Sequence, residues 1–144
     1  MVRSIYKDIG EWHEDKLHGI AKIEWKDGDN ESAQYKHGMI EGFMTTKYQN
    51  GIVNYHQYKN GRFNSYGIYT YDDGKVYRGE FKDGDINGYG HMKYQKNDEY
   101  DGQWEKNFKH GEGVFKEAST GRVERRLYER NKVKEVLEII KQGH

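Results

Sequence analysis

The residues of this sequence best suited to chemistry are its seven histidines, its paired acids and its two Gly-x-Gly triplets. Histidines hold a metal when ring nitrogens converge, as a His-x-x-x-His spacing on a helix allows. His13, His37, His56, His91 and His144 show no such spacing, while His18 and His110 each precede a glycine at an expected hairpin turn. There is no cysteine, which excludes disulfides and thiolate ligands. Neither a metal site nor a cofactor is expected. Asp72 with Asp73, and Asp83 with Asp85, could pair as general acid and base, but each pair flanks a glycine in turn-forming sequence. Gly88-Tyr-Gly90 and Gly111-Glu-Gly113 look like pieces of phosphate loops, yet neither has the strand before it or the helix after it that such loops need. No nucleophile accompanies a base, so no catalytic residues and no enzymatic activity are expected.

The elements that hold these residues follow from composition and spacing. Hydrophobic residues make up only 33% of the 144, but aromatics reach 15%, with 13 Tyr, 18 Gly and no Pro. A disordered chain is poor in aromatics. A mean hydropathy of -1.23 is equally ill suited to a thick aliphatic core. A thin β structure, with rings packed on glycine, reconciles the two.

The spacing supplies the rule. Gly19 and Gly42, Gly28 and Gly51, Gly67 and Gly90, Gly79 and Gly102, and Gly90 and Gly113 are each 23 residues apart. Trp12, Tyr35, Tyr58, Phe81 and Trp104 keep the same step, as do Trp25, Tyr48, Tyr71 and Tyr94. Two residue classes repeating in phase define five units. In the clearest unit, Tyr77-Arg-Gly-Glu-Phe81 alternates ring and charge with the period of a strand, Asp83-Gly84 supplies a tight turn, and Gly88 to Tyr94 returns. Strands joined this way are antiparallel neighbours, so the chain is expected to be an all-β, single-layer, elongated antiparallel meander. Val123 to Tyr128 restarts the pattern as an eleventh strand, which makes a ribbon roughly 50 Å long at ~4.8 Å per strand.

After Tyr128 the period changes. Val133, Val136, Leu137 and Ile140 fall at i, i+3, i+4 and i+7, with Asn131 placed as an N-cap and Gly143 past the end. This spacing predicts a short C-terminal helix. Residues 1–130 are thus read as the repeat meander, and 131–144 as the helix and tail. The helix either caps the last strand or docks a partner.

Twenty-four basic residues balance 24 acidic ones. That neutrality argues against nucleic acid and disfavours, without excluding, an acidic membrane surface. No signal peptide or long apolar run is visible, so a cytoplasmic setting is expected.

Tyr77-Arg-Gly-Glu-Phe81, Asp83-Gly84, Asn87-Gly88-Tyr-Gly90, Tyr100-Asp-Gly-Gln-Trp104 and His110-Gly111-Glu-Gly113 resemble MORN (membrane occupation and recognition nexus) repeats, over about residues 8–128. The first three units depart from the pattern. Asp8, Glu31 and Asn54 stand where the opening Tyr belongs, Ala33 and His56 replace the strand glycine, and Ala21 and Met44 replace the later one. The resemblance implies a scaffold that holds protein partners in a multi-subunit, cytoskeletal or ciliary assembly. Tyr77, Phe81, Tyr100 and Trp104 on outgoing strands align with Tyr69, Tyr71, Met92, Tyr94 and Phe115 on returning ones, an aromatic groove suited to a partner's helix or extended segment. Alternative readings are a peripheral module for acidic lipids and a regulatory repeat subunit of an enzyme complex.

Overall fold

The structure, a computed structural model, describes residues 5–144. It is all-β, an antiparallel meander of twelve strands with a separate two-stranded hairpin. The chain forms two compact units, divided between Asn64 and Ser65.

The first unit carries β1 (Ile5–Ile9), β2 (Trp12–His13), β3 (Lys16–Leu17), β4 (Gly19–Trp25), β5 (Asn30–Lys36), β6 (Met39–Lys47) and β7 (Val53–Lys59). β2 and β3 make the separate hairpin, and β1, β4, β5, β6 and β7 pair in that order. Alanine takes the centre of its strands: Ala21 lies opposite Ala33, and Ala33 opposite Met44. Both alanines are buried, as is Asn54.

β8 (Arg62–Thr70) contains the boundary between the units. The second unit continues with β9 (Val76–Lys82), β10 (Asp85–Lys93), β11 (Glu99–Glu105), β12 (Phe108–Lys116), β13 (Val123–Glu129) and β14 (Lys132–Lys141). Its core is mostly aromatic: Tyr77, Phe81, Tyr100, Trp104 and Tyr128 are buried, together with Ile86 and Met92.

The turns explain the repeat. His37–Gly38, Asn60–Gly61, Asp83–Gly84, Lys106–Asn107 and Arg130–Asn131 each place two consecutive residues at positive φ. Two-residue turns of that hand match the twist of the strands they join. At the opposite ends of the hairpins, the side chains of Asp27, Asn50 and Asp73 each accept a bond from the backbone N–H two residues on, at 3.0 Å. The glycine between has a φ near 90°: 92° at Gly28, 87° at Gly51 and 92° at Gly74.

The expected C-terminal helix is not there. Residues 132–141 form β14, paired along β13. Tyr128, Arg126 and Glu124 face Val133, Val136 and Ile139, while Lys134, Leu137 and Ile140 are extra residues, each taken up in a bulge. The bulges set Val133, Val136 and Ile139 three residues apart on the paired positions of the strand, and Leu137 and Ile140, the other half of the apparent helical stripe, are themselves bulge residues. Asn131 is the second residue of a hairpin turn, with φ 68°, rather than an N-cap. Energetics favour this outcome. A three-turn helix is marginal in water. A strand, in contrast, satisfies the hydrogen-bonding edge of β13 and suits the β-branched Val133, Val136, Ile139 and Ile140.

Candidate functional site

The second unit's site grows from one motif made twice. The Tyr77 ring lies over the cross-strand pair Gly79–Gly90, and the Tyr100 ring over Gly102–Gly113. Each ring reaches far enough for its hydroxyl to donate to a backbone carbonyl three residues on, Glu80 for Tyr77 and Gln103 for Tyr100, both at 2.8 Å. Only glycine leaves room for a flat ring here, so the Tyr-x-Gly and Gly-x-Gly spacings are one packing device. Where the ring is absent, in the first unit, alanine, methionine and His56 take the glycine positions.

The rings then stack edge to face. Phe81 meets Tyr77 at 5.1 Å between centroids, Tyr77 meets Trp104 at 5.6 Å, Trp104 meets Tyr100 at 5.1 Å, and Tyr100 meets Tyr128 at 5.2 Å. Such pairs add ~0.5–1.5 kcal/mol each beyond area burial. Trp104 Nε1 donates to the Gly90 carbonyl at 3.1 Å. Burial raises the phenol pKa of Tyr77 and Tyr100 well above the ordinary range.

Beside this ladder lies a cleft of about 570 Å³, lined by Tyr71, Lys75, Met92, Tyr94, Trp104 and Lys109 among others. A neighbouring depression brings in Asp73, Lys96, Asp98 and Phe115. The nine residues expected to form the groove therefore divide. Tyr77, Phe81, Met92, Tyr100 and Trp104 are buried, and of these Met92 and Trp104 line the cleft, while Tyr69, Tyr71, Tyr94 and Phe115 keep part of their surface open. Tyr69 packs edge-on against Tyr71 at 4.7 Å. Burial, with Tyr128 and Asp98 nearby, pushes the Tyr94 phenol up to about 12.

Two lysines were not foreseen as part of this site. Lys75 Nζ stands 4.9 Å from the Tyr71 ring centre and pairs with Asp73 at 3.3 Å. Lys109 Nζ stands 4.9 Å from the Tyr128 ring centre, 5.5 Å from those of Tyr94 and Tyr100, and 5.7 Å from that of Phe115. Burial first, and repulsion by Arg126 second, lower its pKa. The sequence signal was available, since Lys109 follows the turn that brings β12 back beside Trp104, but a lysine in a charged, repetitive stretch reads as a solvated residue.

Around the cleft the strands are locked one repeat apart. Asn107 Oδ1 accepts from the Ile86 N–H at 2.8 Å and the Asn107 N–H donates to the Ile86 carbonyl at 2.9 Å. Asn131 does the same to Lys109, at 2.8 and 2.9 Å. Below Phe115, the buried Glu124 is held by Arg122 and by Arg126, the latter at 2.7 Å; these bonds depress its pKa. Arg126 also lies 4.5 Å from the Phe115 ring centre.

The opposite face of the second unit is mixed in sign. His91 contacts Glu99 at 3.1 Å, and Arg125 pairs with Glu112 and Glu138 at 3.1 and 3.4 Å. In the first unit, the rings of His13, His18 and His37 come together at 5.9 and 5.7 Å, which their spacing did not suggest. Among the described residues, no group of three or more His, Asp or Glu is placed to hold a metal ion, and no helix is long and apolar enough to cross a membrane.

Against known proteins, the family model of the MORN repeat matches residues 9–30, 57–76, 77–99 and 100–116, more than half of the chain. The unmatched stretch between the first two segments contains Glu31, Ala33 and Met44, where ring and glycine are both replaced. No curated protein matches this sequence.

Proposed function

The chain belongs to the MORN-repeat family, and from that premise we propose that it is a non-catalytic protein-binding scaffold whose aromatic cleft grips a partner's helix or extended segment. The observation that carries this reading is the division of the rings. Those that hold the fold are buried, yet Tyr71 and Tyr94 remain open along a cleft of about 570 Å³, and Phe115 along the depression beside it. Open aromatic surface beside a preformed cleft is typical of contact surfaces that bury a few anchoring side chains. The setting we propose is a cytoskeletal or ciliary assembly in the cytoplasm, with protein rather than nucleic acid as partner.

The test is an affinity pull-down from the native cell with identification by mass spectrometry, repeated with Tyr71→Ala, Tyr94→Ala and Phe115→Ala. Arg78→Ala and Lys93→Ala, on the opposite face, serve as controls. With the thermal midpoint kept within a few degrees, the ring variants should retain the same partner roughly tenfold less well, and the controls should match the parent. If the two sets trade places, the cleft reading fails.

A further inference from the structure

We propose that the cleft is built for an acidic peptide segment, one that presents a carboxylate to Lys109 with apolar side chains on either side of it. The proposal rests on the cleft being the partner site and deepens it by naming the occupant's chemistry.

Lys109 is the reason. Its ammonium is half-buried within a ring of Tyr94, Tyr100, Phe115 and Tyr128. No ion pair or hydrogen bond among the described residues engages that ammonium. Of the cations nearby, Lys75 is paired with Asp73 and Arg126 with Glu124, while Lys96 stands in the neighbouring depression. Aromatic faces attract a cation, but they accept few of its three donated hydrogen bonds, so a desolvated ammonium stays under-satisfied until an anion arrives. A carboxylate entering the cleft would accept those bonds in a low-dielectric setting where charge-assisted bonds are strong. Tyr71, Met92 and Tyr94 line the same space and call for apolar flanks. A phosphate headgroup fits less well. It carries more negative charge than a carboxylate, so Asp73 and Asp98 beside the approach repel it more strongly.

The experiment pans a displayed library of random twelve-residue peptides on the full chain, then measures affinities of the recovered peptides. Recovered sequences should share an Asp or Glu flanked by apolar residues. Exchanging that acid for its amide should weaken binding roughly tenfold on the parent protein and hardly at all on Lys109→Met, while Lys109→Arg should stay within about threefold of the parent. Lys109→Met should melt no lower than the parent, because it removes a half-buried charge that has no ion-pair partner among the described residues; a marked loss of melting temperature would make the lysine a structural brace and overturn the proposal. Recovered peptides without a shared acid, or indifferent to its amide, would overturn it while sparing the cleft, provided Tyr71→Ala and Tyr94→Ala still abolish binding. If those ring variants are also indifferent, or no peptide is recovered, the cleft reading falls with it. Binding to phosphatidylserine vesicles that depends on Lys109, in the absence of peptide binding, would replace the peptide with a lipid and overturn the proposal.

Discussion

Tyr100 and Gly113 occupy space that only this pair of residues can share. A Cβ built on Gly113 would fall well inside 3.0 Å of the Tyr100 ring, whose hydroxyl meanwhile donates to the Gln103 carbonyl. Neither residue alone explains the motif. The ring needs a gap in the neighbouring strand, and the gap is a void unless the ring fills it.

This interdependence is measurable as coupling. Gly113→Ala alone should destabilise the protein by about 1–3 kcal/mol through overpacking, and Tyr100→Ala alone by about 3–5 kcal/mol through the cavity left behind. In the double variant the methyl enters the vacated space, so the combined loss should fall short of the sum by about 1 kcal/mol or more. Urea unfolding of the four proteins checks this; strict additivity would mean that ring and glycine do not share the space.

The first unit should be acid-sensitive at His56. Burial lowers its pKa below the ordinary 6.5, so on acidification the unfolded chain takes up a proton before the folded one does. Stability then rises with pH in this window: full above 6.5 and lost as pH falls below it. Phe63 packs edge-on against the His56 ring at 4.9 Å, so His56→Phe should keep the packing and flatten the pH dependence between about 5 and 7. Urea midpoints measured across that range, for parent and variant, would overturn the assignment if the slopes matched.

Removing Lys132 to His144 should leave β13 with an unpaired edge and uncover Tyr128, which is only 2% exposed in the intact chain. Open edges pair with other chains, so the truncated protein should associate or aggregate, as light scattering would report. A truncated protein that stays monomeric and equally stable, but no longer retains its partner, would instead make β14 a docking strand.

Much of the fold was legible because glycine and aromatic residues report the same geometry from two sides. The Gly79–Gly102 and Tyr77–Tyr100 steps both encode rings lying over gaps, and the hairpins followed from Asp83–Gly84 and Asn60–Gly61. The last hairpin was hidden by two local effects. Asn131 stands 24 residues after Asn107 rather than 23, because the turn between β12 and β13 has six residues (117–122) where that between β10 and β11 has five (94–98). The bulges at Lys134, Leu137 and Ile140 then gave β14 a helical-looking spacing. Sequence grouped Tyr77, Tyr100 and Trp104 with Tyr94 and Phe115 but could not tell the buried rings from the open ones. Lys109 escaped notice because its four aromatic neighbours come from four different strands or turns.

Asn107 grips Ile86, and Asn131 grips Lys109, each one hairpin back along the chain and no further. A lineage carrying such links can gain or lose whole hairpins by duplication or deletion without redesigning those that remain. Small slips in length are absorbed in a turn, as residues 117–122 already absorb one. The array can thus change length outside residues 71–131, the span whose hairpins together line the cleft around Lys109.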